Sequence, residues 1–147
     1  MQDMVTTKQA RTEDDFRALV PLVREFYEEH GEPENLDGSP HATLRNYWLL
    51  RDSDKLGIFL GFKDEMLGGY FVVQYTEPWR GREFAIAQFF VRPGFASISK
   101  PLVQAGIDWA KQRGARRLLG GVSWQRAKLF ARRFGFKPLA IVLAKEL

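Results

Sequence analysis

The sequence contains no cysteine, and histidine occurs only at His30 and His41. The absence of cysteine excludes disulfides, thiolate metal ligands and a cysteine nucleophile, and it is typical of proteins from a reducing compartment. Two histidines are too few for a histidine-rich metal centre, so we predict no metal site. Thiol enzymes and proteins built around structural zinc are therefore excluded as function classes.

Long apolar runs are also missing. No segment approaches the roughly 20 apolar residues of a transmembrane helix, and the stretch MQDMVTTKQARTEDD lacks the apolar core of a signal peptide. We therefore expect a cytoplasmic protein that does not bind a membrane. The 147 residues, 45% of them hydrophobic, suffice for one core, and no repeat interrupts them. The sequence predicts a single domain over residues 1–147.

Negative charge is scarce in the second half of the chain. Residues 78–147 contain 14 basic and 3 acidic side chains, whereas residues 1–77 contain 8 basic and 15 acidic ones. The net charges of these two parts are therefore +11 and −7. This imbalance indicates that the basic half meets phosphates, either of nucleic acid or of a phosphorylated cofactor. The acidic half would face a cationic partner or the basic half itself.

Hydrophobic periodicity predicts the elements of the first half. The segment TTKQAR is a predicted strand, and DDFRALVPLVREFYEEH is a helix that Thr12 caps together with Asp15. Pro21 predicts a bend in that helix. A second helix, HATLRNYWLLRD, starts after Ser39 and Pro40. The runs KLGIFLGF and LGGYFVVQY, joined by the polar turn KDEM, are typical of a β-hairpin.

The second half completes the pattern. REFAIAQFFV is a predicted strand, followed by a helix that starts at Ser97 or Ser99 and stops at Gly114. RRLLGGV predicts a strand, WQRAKLFARRF a short basic helix and PLAIVLAKEL a closing strand. An antiparallel meander followed by a parallel strand, helix, strand crossover predicts an α/β (in stricter usage α+β) fold. Its sheet is mixed and mostly antiparallel, with helices on both faces.

The loop GFASIS lies between a predicted strand and helix, where such a sheet splays. Free backbone N–H groups at the start of a helix attract anions, which favours a phosphate site at this point. A helix start more often meets only water, so position alone leaves both interpretations open.

The order of elements and the segments FFVRPGFASISKPLVQAGIDWAKQRGARRL and AKLFARRFGFKP resemble the GNAT superfamily of N-acetyltransferases. In that family, backbone amides of a glycine-rich signature hold the pyrophosphate of acetyl-CoA. Alignment on Leu102 and Trp109 places the signature at residues 94–99. The resemblance implies seven cofactor-binding residues, which are Phe90 and Val91 along the pantetheine and Ala96, Ser97, Ile98, Ser99 and Lys100 at the pyrophosphate.

The loop departs from the family pattern at two points. Gly94 stands where the family has Arg or Gln, and SIS replaces the usual GIG. A serine hydroxyl can donate to a phosphate or cap the helix, so Ser97 and Ser99 can replace the glycines in a tighter loop. The opposite outcome is also open, because a side chain can keep phosphate away from the backbone.

The catalytic residues cannot be assigned from the resemblance. Ala131 occupies the position of the tyrosine that protonates the leaving thiolate in the family, and Trp124 replaces its asparagine. A thiolate with a thiol pKa of about 8.5 can leave with help from water alone. Glu83 and Gln88 lie in the relevant strand, but glutamine cannot accept a proton.

Three further residues are weaker candidates. Ser123 could bind the substrate or a water, while His30 and His41 flank the acidic loop that precedes the second helix. For each of them, and for Glu83, an ordinary surface or turn position is the simpler interpretation.

The resemblance implies transfer of an acetyl group from acetyl-CoA to a primary amine of a small molecule or protein, with the acidic half attracting the cationic amine. Members with this layout often dimerise, so a homodimer is a further expectation. The alternative is an inactive module of the same fold that binds nucleic acid or an acidic partner. Its basic clusters would be Arg116, Arg117, Arg126, Lys128, Arg132 and Arg133.

Overall fold

A five-stranded mixed sheet lies at the centre of the computed structural model, which describes residues 3–30, 39–76, 83–120, 124–139 and 145. The strands are β1 (Val5–Gln9), β2 (Leu56–Lys63), β3 (Met66–Thr76), β4 (Glu83–Val91) and β5 (Leu118–Gly120). They lie in the order β1-β2-β3-β4-β5, antiparallel except for the parallel pair β4 and β5. The helices are α1 (Glu13–His30), α2 (Pro40–Leu50), α3 (Ser99–Gln112) and α4 (Trp124–Phe134).

The start of α1 is fixed by the predicted capping pair. The N–H of Asp15 donates to Thr12 Oγ1 at 3.1 Å, and the N–H of Thr12 donates to Asp15 Oδ2 at 3.0 Å. The N–H of Arg11 and the ammonium of Lys8 also reach this carboxylate, at 2.9 and 2.7 Å. Burial alone would raise the pKa of Asp15, but these donors outweigh it and lower the pKa to about 2.

The other helix ends follow equally local rules. Ser39 caps α2 by accepting from the N–H of Ala42 at 3.2 Å, and Pro40 occupies the first turn, where a missing N–H costs little. Gly114 follows the end of α3 with φ of +84°, a conformation that suits glycine. Pro21 lies inside the continuous helix α1, and the bend expected there stays a prediction.

The helices cover both faces of the sheet, as predicted. Each face of the sheet packs against its helices through an apolar layer to which both the strands and the helices contribute. The layer between the sheet and helices α1 and α2 includes Phe16, Leu19, Leu22, Val23, Phe26, Tyr47, Ile58, Leu60, Tyr70, Val72 and Phe90. The layer between the sheet and helices α3 and α4 includes Phe59, Phe71, Val73, Phe84, Phe89, Ile98, Leu102, Val103, Trp109 and Phe130. Alternate residues of β3 and β4 thus enter different layers, since successive strand side chains point to opposite faces.

The element order predicted from the sequence is confirmed for β1 to α4. The hairpin turn falls at Asp64 and Glu65, whose φ values of +51° and +67° are those of a primed turn. The predicted closing strand, PLAIVLAKEL, lies outside the described residues except for positions 138, 139 and 145. None of the helices in the described ranges combines the length and hydropathy needed to cross a bilayer.

Candidate active site

The sheet opens between β4 and β5. These strands pair only at Phe84 with Leu118, Ala85 with Leu119 and Ile86 with Gly120, counting the described residues. Strand β4 continues for five more residues to Val91. Its edge on the β5 side therefore presents backbone N–H and C=O groups that an extended ligand can pair with.

A bulge lies where this open edge begins. Val72 of β3 pairs with Gln88 and Val73 pairs with Ile86, so Ala87 is an extra residue in β4. A bulge leaves its extra residue without a ladder partner, and Ala87 is exposed. Because the bulge absorbs one residue, Gln88 and Ile86 face opposite sides of the sheet instead of the same side.

The loop after β4 begins with a tight turn. The N–H of Phe95 donates to the carbonyl of Arg92 at 3.1 Å, with Pro93 and Gly94 between them. Gly94 has φ of +87°, as the third position of a type II turn requires. Turn geometry therefore accounts for glycine at the position where the family signature has Arg or Gln. Lys63 Nζ donates to the Gly94 carbonyl at 2.7 Å and fixes the turn to β2.

Two unpaired backbone donors follow this turn. A 3-10 turn spans Ala96–Ile98, where the N–H of Ile98 donates to the carbonyl of Phe95 and the N–H of Ser99 to that of Ala96. The N–H groups of Ala96 and Ser97 make no hydrogen bond to any described residue, and both residues are exposed. They lie at the start of the 14-residue helix α3, whose dipole favours an anion.

The side chains of the loop divide into two groups. Ser97 and Lys100 are exposed beside Ala96, so the structure brings these three predicted residues together at one surface. The side chain of Ile98 is fully buried in the layer under α3, and Ser99 is also buried. Neither serine caps the helix, because the cap residue of α3 is Ile98, and no side chain bonds there.

The remaining predicted cofactor residues, Phe90 and Val91, form the end of the open strand. The Phe90 ring is buried against Phe26 and Tyr70, and its backbone carbonyl points toward Gly69 of β3. Val91 is half-buried. By the alternation of strand residues, the backbone N–H and C=O of Val91 face the open edge, shortly before the 3-10 turn and α3.

The loop is also tied to α1. Arg92 donates through Nε and Nη2 to Glu25 Oε2, at 2.9 and 2.8 Å, and its Nη1 lies 3.4 Å from the carbonyl of Leu67. The N–H of Arg92 donates to the carbonyl of Gly68 at 2.8 Å. Arg92 thereby connects the end of β4 both to the neighbouring strand and to the helix above it.

A polar group interrupts the apolar layer under α1 and α2. The hydroxyl of Tyr70 donates to Gln88 Oε1 at 2.8 Å, and both side chains are buried. Nearby, the hydroxyls of Tyr27 and Thr43 share a hydrogen bond. Burial, reinforced by the neighbouring tyrosines, raises the pKa values of Tyr47 and Tyr70 well above the ordinary value. These two phenols stay neutral and cannot serve as bases near pH 7.

The other candidate residues lie elsewhere. Glu83 is the first residue of β4, where it forms an ion pair with Arg117. At about 3.3 Å per residue, it lies about 26 Å along the strand from Val91. His41 is exposed on α2 and lines an open groove of about 870 Å³ between the outer surfaces of α1 and α2. Ala131 is exposed on α4.

Several sequence-based candidates fall outside the described part of the chain. Ser123 is one of them, and so are the side chains of His30 and Trp124. Among the described residues, no three His, Cys, Asp or Glu side chains group closely enough to hold a metal ion. A catalytic residue is therefore not assigned by position alone.

Sequence reasoning missed the bulge and the pair of Tyr70 and Gln88. The bulge did leave a signal, because Phe84 and Ile86 are spaced by two whereas the next residue of that face, Phe89, follows at three. The hydrogen bond between Tyr70 and Gln88 joins different strands, and nothing in the sequence indicated it.

The fold and the site can be compared with known proteins. The aminoglycoside N-acetyltransferase AAC(6')-Iy in complex with CoA superposes with a TM-score of 0.81 at 15% identity, covering 100% of this chain and 97% of that one. A predicted acetyltransferase with acetyl-CoA from Clostridium acetobutylicum gives a TM-score of 0.75 at 17% identity, with coverage of 97% and 96%. The glucosamine-6-phosphate N-acetyltransferase of Arabidopsis thaliana gives 0.72 at 16% identity, with coverage of 97% and 98%.

At these identities the solved structures establish the fold, which agrees with the fold class predicted from the sequence. A comparison with curated protein sequences finds no match. The model of the acetyltransferase (GNAT) family matches residues 18–136, from within α1 to the residue after Gly135. That span contains the open strand, the turn and the two unpaired amides, and the resemblance seen in the sequence is confirmed: the chain belongs to the GNAT acetyltransferase family.

Proposed function

We propose that the protein transfers the acetyl group of acetyl-CoA to a primary amine of a small molecule or protein. One observation supports the donor site most directly. The exposed N–H groups of Ala96 and Ser97 have no partner among the described residues, and they lie at the start of α3 beside the open edge of β4. This arrangement fits a pyrophosphate, because free amides and the positive end of a helix both favour phosphate oxygens. Lys100, exposed in the first turn, adds a positive charge.

The open edge of β4 accounts for the rest of the donor. The strand end at Phe90 and Val91 would pair with the pantetheine amides as an added strand does, through the backbone groups of Val91 that face the open edge. The amide of the bulge residue Ala87 is the donor that we assign to the thioester carbonyl. Bound acetyl-CoA supplies a thioester whose carbonyl carbon is attacked by a neutral amine.

The bond changes balance without a further co-reactant. The amine nitrogen forms the new C–N bond, the C–S bond breaks, and the thiolate of CoA leaves with the electron pair. The nitrogen then loses its extra proton to solvent, and the thiolate, whose thiol has a pKa of about 8.5, is protonated by water or remains ionised. This chemistry requires no tyrosine at position 131, so Ala131 is compatible with activity.

The acceptor is an amine that the acidic half of the chain attracts. Glu28 and Glu29 are exposed in the last part of α1, and the segment that follows contains further acidic residues. Among the structural neighbours, one is crystallised with a bisubstrate analogue of acetylneamine and another with sisomicin. Sisomicin is a cationic amine, which supports a positively charged acceptor. We also propose a cytoplasmic location and a homodimer for this protein.

Thermal denaturation with acetyl-CoA tests the donor site. A ligand at about 1,000 times its dissociation constant stabilises the native state by about 4 kcal/mol. For a chain of this size, that corresponds to a rise in melting temperature of about 10 °C. Adenosine and acetate, each added separately at the same concentration, are the control ligands. An unchanged melting temperature with acetyl-CoA would contradict the proposal.

The alternative function is binding of nucleic acid or an acidic partner without chemistry. One observation favours it, since α4 exposes Lys128, Arg132 and Arg133. Contacts with phosphates would make such binding fall steeply with salt concentration. Steep salt-dependent binding to DNA or RNA, combined with no thermal shift by acetyl-CoA, would favour the binding module over the enzyme.

A further inference from the structure

The hydrogen-bonded pair of Tyr70 and Gln88 is a polar feature in a mainly apolar layer. Phe26 and Phe90 contact the Tyr70 ring, and Tyr70 itself is fully buried. Burying an amide and a hydroxyl costs free energy even when they are paired, and a phenylalanine and a leucine would fill the same space. The pair is therefore hard to explain by packing alone.

Gln88 has a special position in β4. It follows the bulge residue Ala87, at the point where the strand loses its parallel neighbour. The bulge turns its side chain to the face under α1 and α2, away from α3 and the 3-10 turn. Gln88 keeps an exposed fraction of 7%, and its Nε2 makes no hydrogen bond to any described residue. Its amide thus keeps unused hydrogen-bonding capacity.

The hydrogen-bonding capacity of Gln88 suits an amine. A carbonyl oxygen has two lone pairs, and Tyr70 uses one of those on Oε1. The second lone pair can accept an N–H from an amine, which leaves the nitrogen lone pair free to face the thioester. An amide oxygen does not retain a transferred proton, however, so it can orient the nucleophile without deprotonating it.

Few ionisable groups surround the pair. Tyr27 of α1, Tyr47 of α2 and Tyr70 of β3 are phenols. Glu25 of α1 faces the end of β4, where it is paired with Arg92. Residues 84–91 of β4 contain no ionisable side chain. The described groups around Gln88 therefore consist of three phenols and the ion pair of Glu25 with Arg92, and burial raises the pKa values of two of those phenols, Tyr47 and Tyr70.

We propose that Gln88 binds the attacking amine through Oε1, and that Tyr70 is a positioning residue that fixes the orientation of the Gln88 amide. This inference rests on the proposed acetyltransferase function and specifies its acceptor. Because Gln88 does not remove a proton, the reacting amine of the acceptor enters as the free base, while other amines of the same acceptor can stay charged. The rate measured at low acceptor concentration then rises with pH until the pH reaches the pKa of the amine. Amines of low pKa are therefore the better substrates.

Three variants test this inference with acetyl-CoA as donor. The acceptors are hydroxylamine, sisomicin and glucosamine 6-phosphate, measured against the reaction without enzyme over a range of pH. We expect Gln88→Leu to lower kcat/KM for the acceptor about 10-fold to 100-fold while the dissociation constant of acetyl-CoA stays unchanged. Gln88→Glu introduces a proton acceptor, so its profile should extend to lower pH than that of the wild type. Tyr70→Phe should lower kcat/KM without changing the shape of the profile.

The controls separate positioning from folding. Leu49→Ala changes an exposed residue of α2 and should leave every parameter unchanged. Wild-type kcat/KM and pH dependence in Gln88→Leu would overturn the inference. So would an equal loss of acetyl-CoA affinity in Gln88→Leu, because Gln88 would then act through the fold.

Failure of the proposed function gives a different result. If acetyl-CoA does not stabilise the wild type, both the proposed function and this inference are wrong. If acetyl-CoA binds but none of the three acceptors is acetylated, the donor site stands and the inference about Gln88 is overturned, since hydroxylamine needs little beyond a positioned thioester.

Discussion

Replacing Ser97 with glutamate is the sharpest test of the phosphate site, because it should act in opposite directions on the free and the bound protein. Ser97 is exposed, and its unpaired N–H lies at the start of α3. A carboxylate near a helix N-terminus stabilises the helix by about 0.3–1 kcal/mol. The melting temperature of the unliganded Ser97→Glu protein should therefore be unchanged or slightly higher than that of the wild type.

The effect on acetyl-CoA is much larger and has the opposite sign. Two unit charges about 5 Å apart interact by about 3 kcal/mol at an effective dielectric constant of about 20. A pyrophosphate carries two such charges, while exposure and salt screen part of the repulsion. We expect a net penalty of about 3 kcal/mol, which would raise the dissociation constant more than 100-fold. Most of the thermal shift by acetyl-CoA should then disappear.

Thermal denaturation and titration calorimetry measure the two effects separately. Ser97→Ala keeps the backbone N–H and should retain the shift, which would show that the hydroxyl is dispensable. Leu49→Glu adds the same charge to an exposed position of α2 and should also retain it. If Ser97→Glu keeps the full wild-type shift, the phosphate does not bind at this helix start, and the assignment of Ala96, Ser97 and Lys100 is refuted.

Two further changes test the local structure. Gly94→Ala places a side chain at φ of +87°, which should cost about 1–2 kcal/mol and weaken acetyl-CoA binding by distorting the turn; equal melting temperatures of variant and wild type would contradict this. Asp15 has its pKa lowered to about 2, so its charged form stabilises the fold above about pH 4, and that contribution is lost as the pH falls from 4 to 2. The difference in unfolding free energy between wild type and Asp15→Asn, measured by urea denaturation, should be about 2 kcal/mol at pH 7 and shrink over that window, and a difference independent of pH would argue against the cap.

Most of the fold could be predicted because its signals are local. The capping pair of Thr12 and Asp15, the cap at Ser39 and the stop at Gly114 each depend on a few neighbouring residues, and each is confirmed. The Pro-Gly dipeptide at positions 93 and 94 likewise favours a type II turn. Apolar periodicity then indicated which residues enter each layer.

The candidate site was less accessible from the sequence because its parts come together across the sheet. Of the two roles open to the hydroxyls of Ser97 and Ser99, capping does not occur, since the chain enters α3 through a 3-10 turn and Ile98 takes the cap position. The contact of Lys63 with Gly94 and the ion pair of Arg92 with Glu25 join residues that are distant along the chain. Propensity and spacing carry no information on such pairings.

The bulge at Ala87 has a consequence for how this strand tolerates changes of length. Without that one residue, Ile86 and Gln88 would become consecutive members of a regular ladder opposite Val73 and Val72, and every side chain would keep its present layer. Loss of a single codon could therefore leave a well-packed fold whose opening lacks the spare amide. An active and an inactive protein of this fold would then differ by one deleted residue and have the same free energy of unfolding.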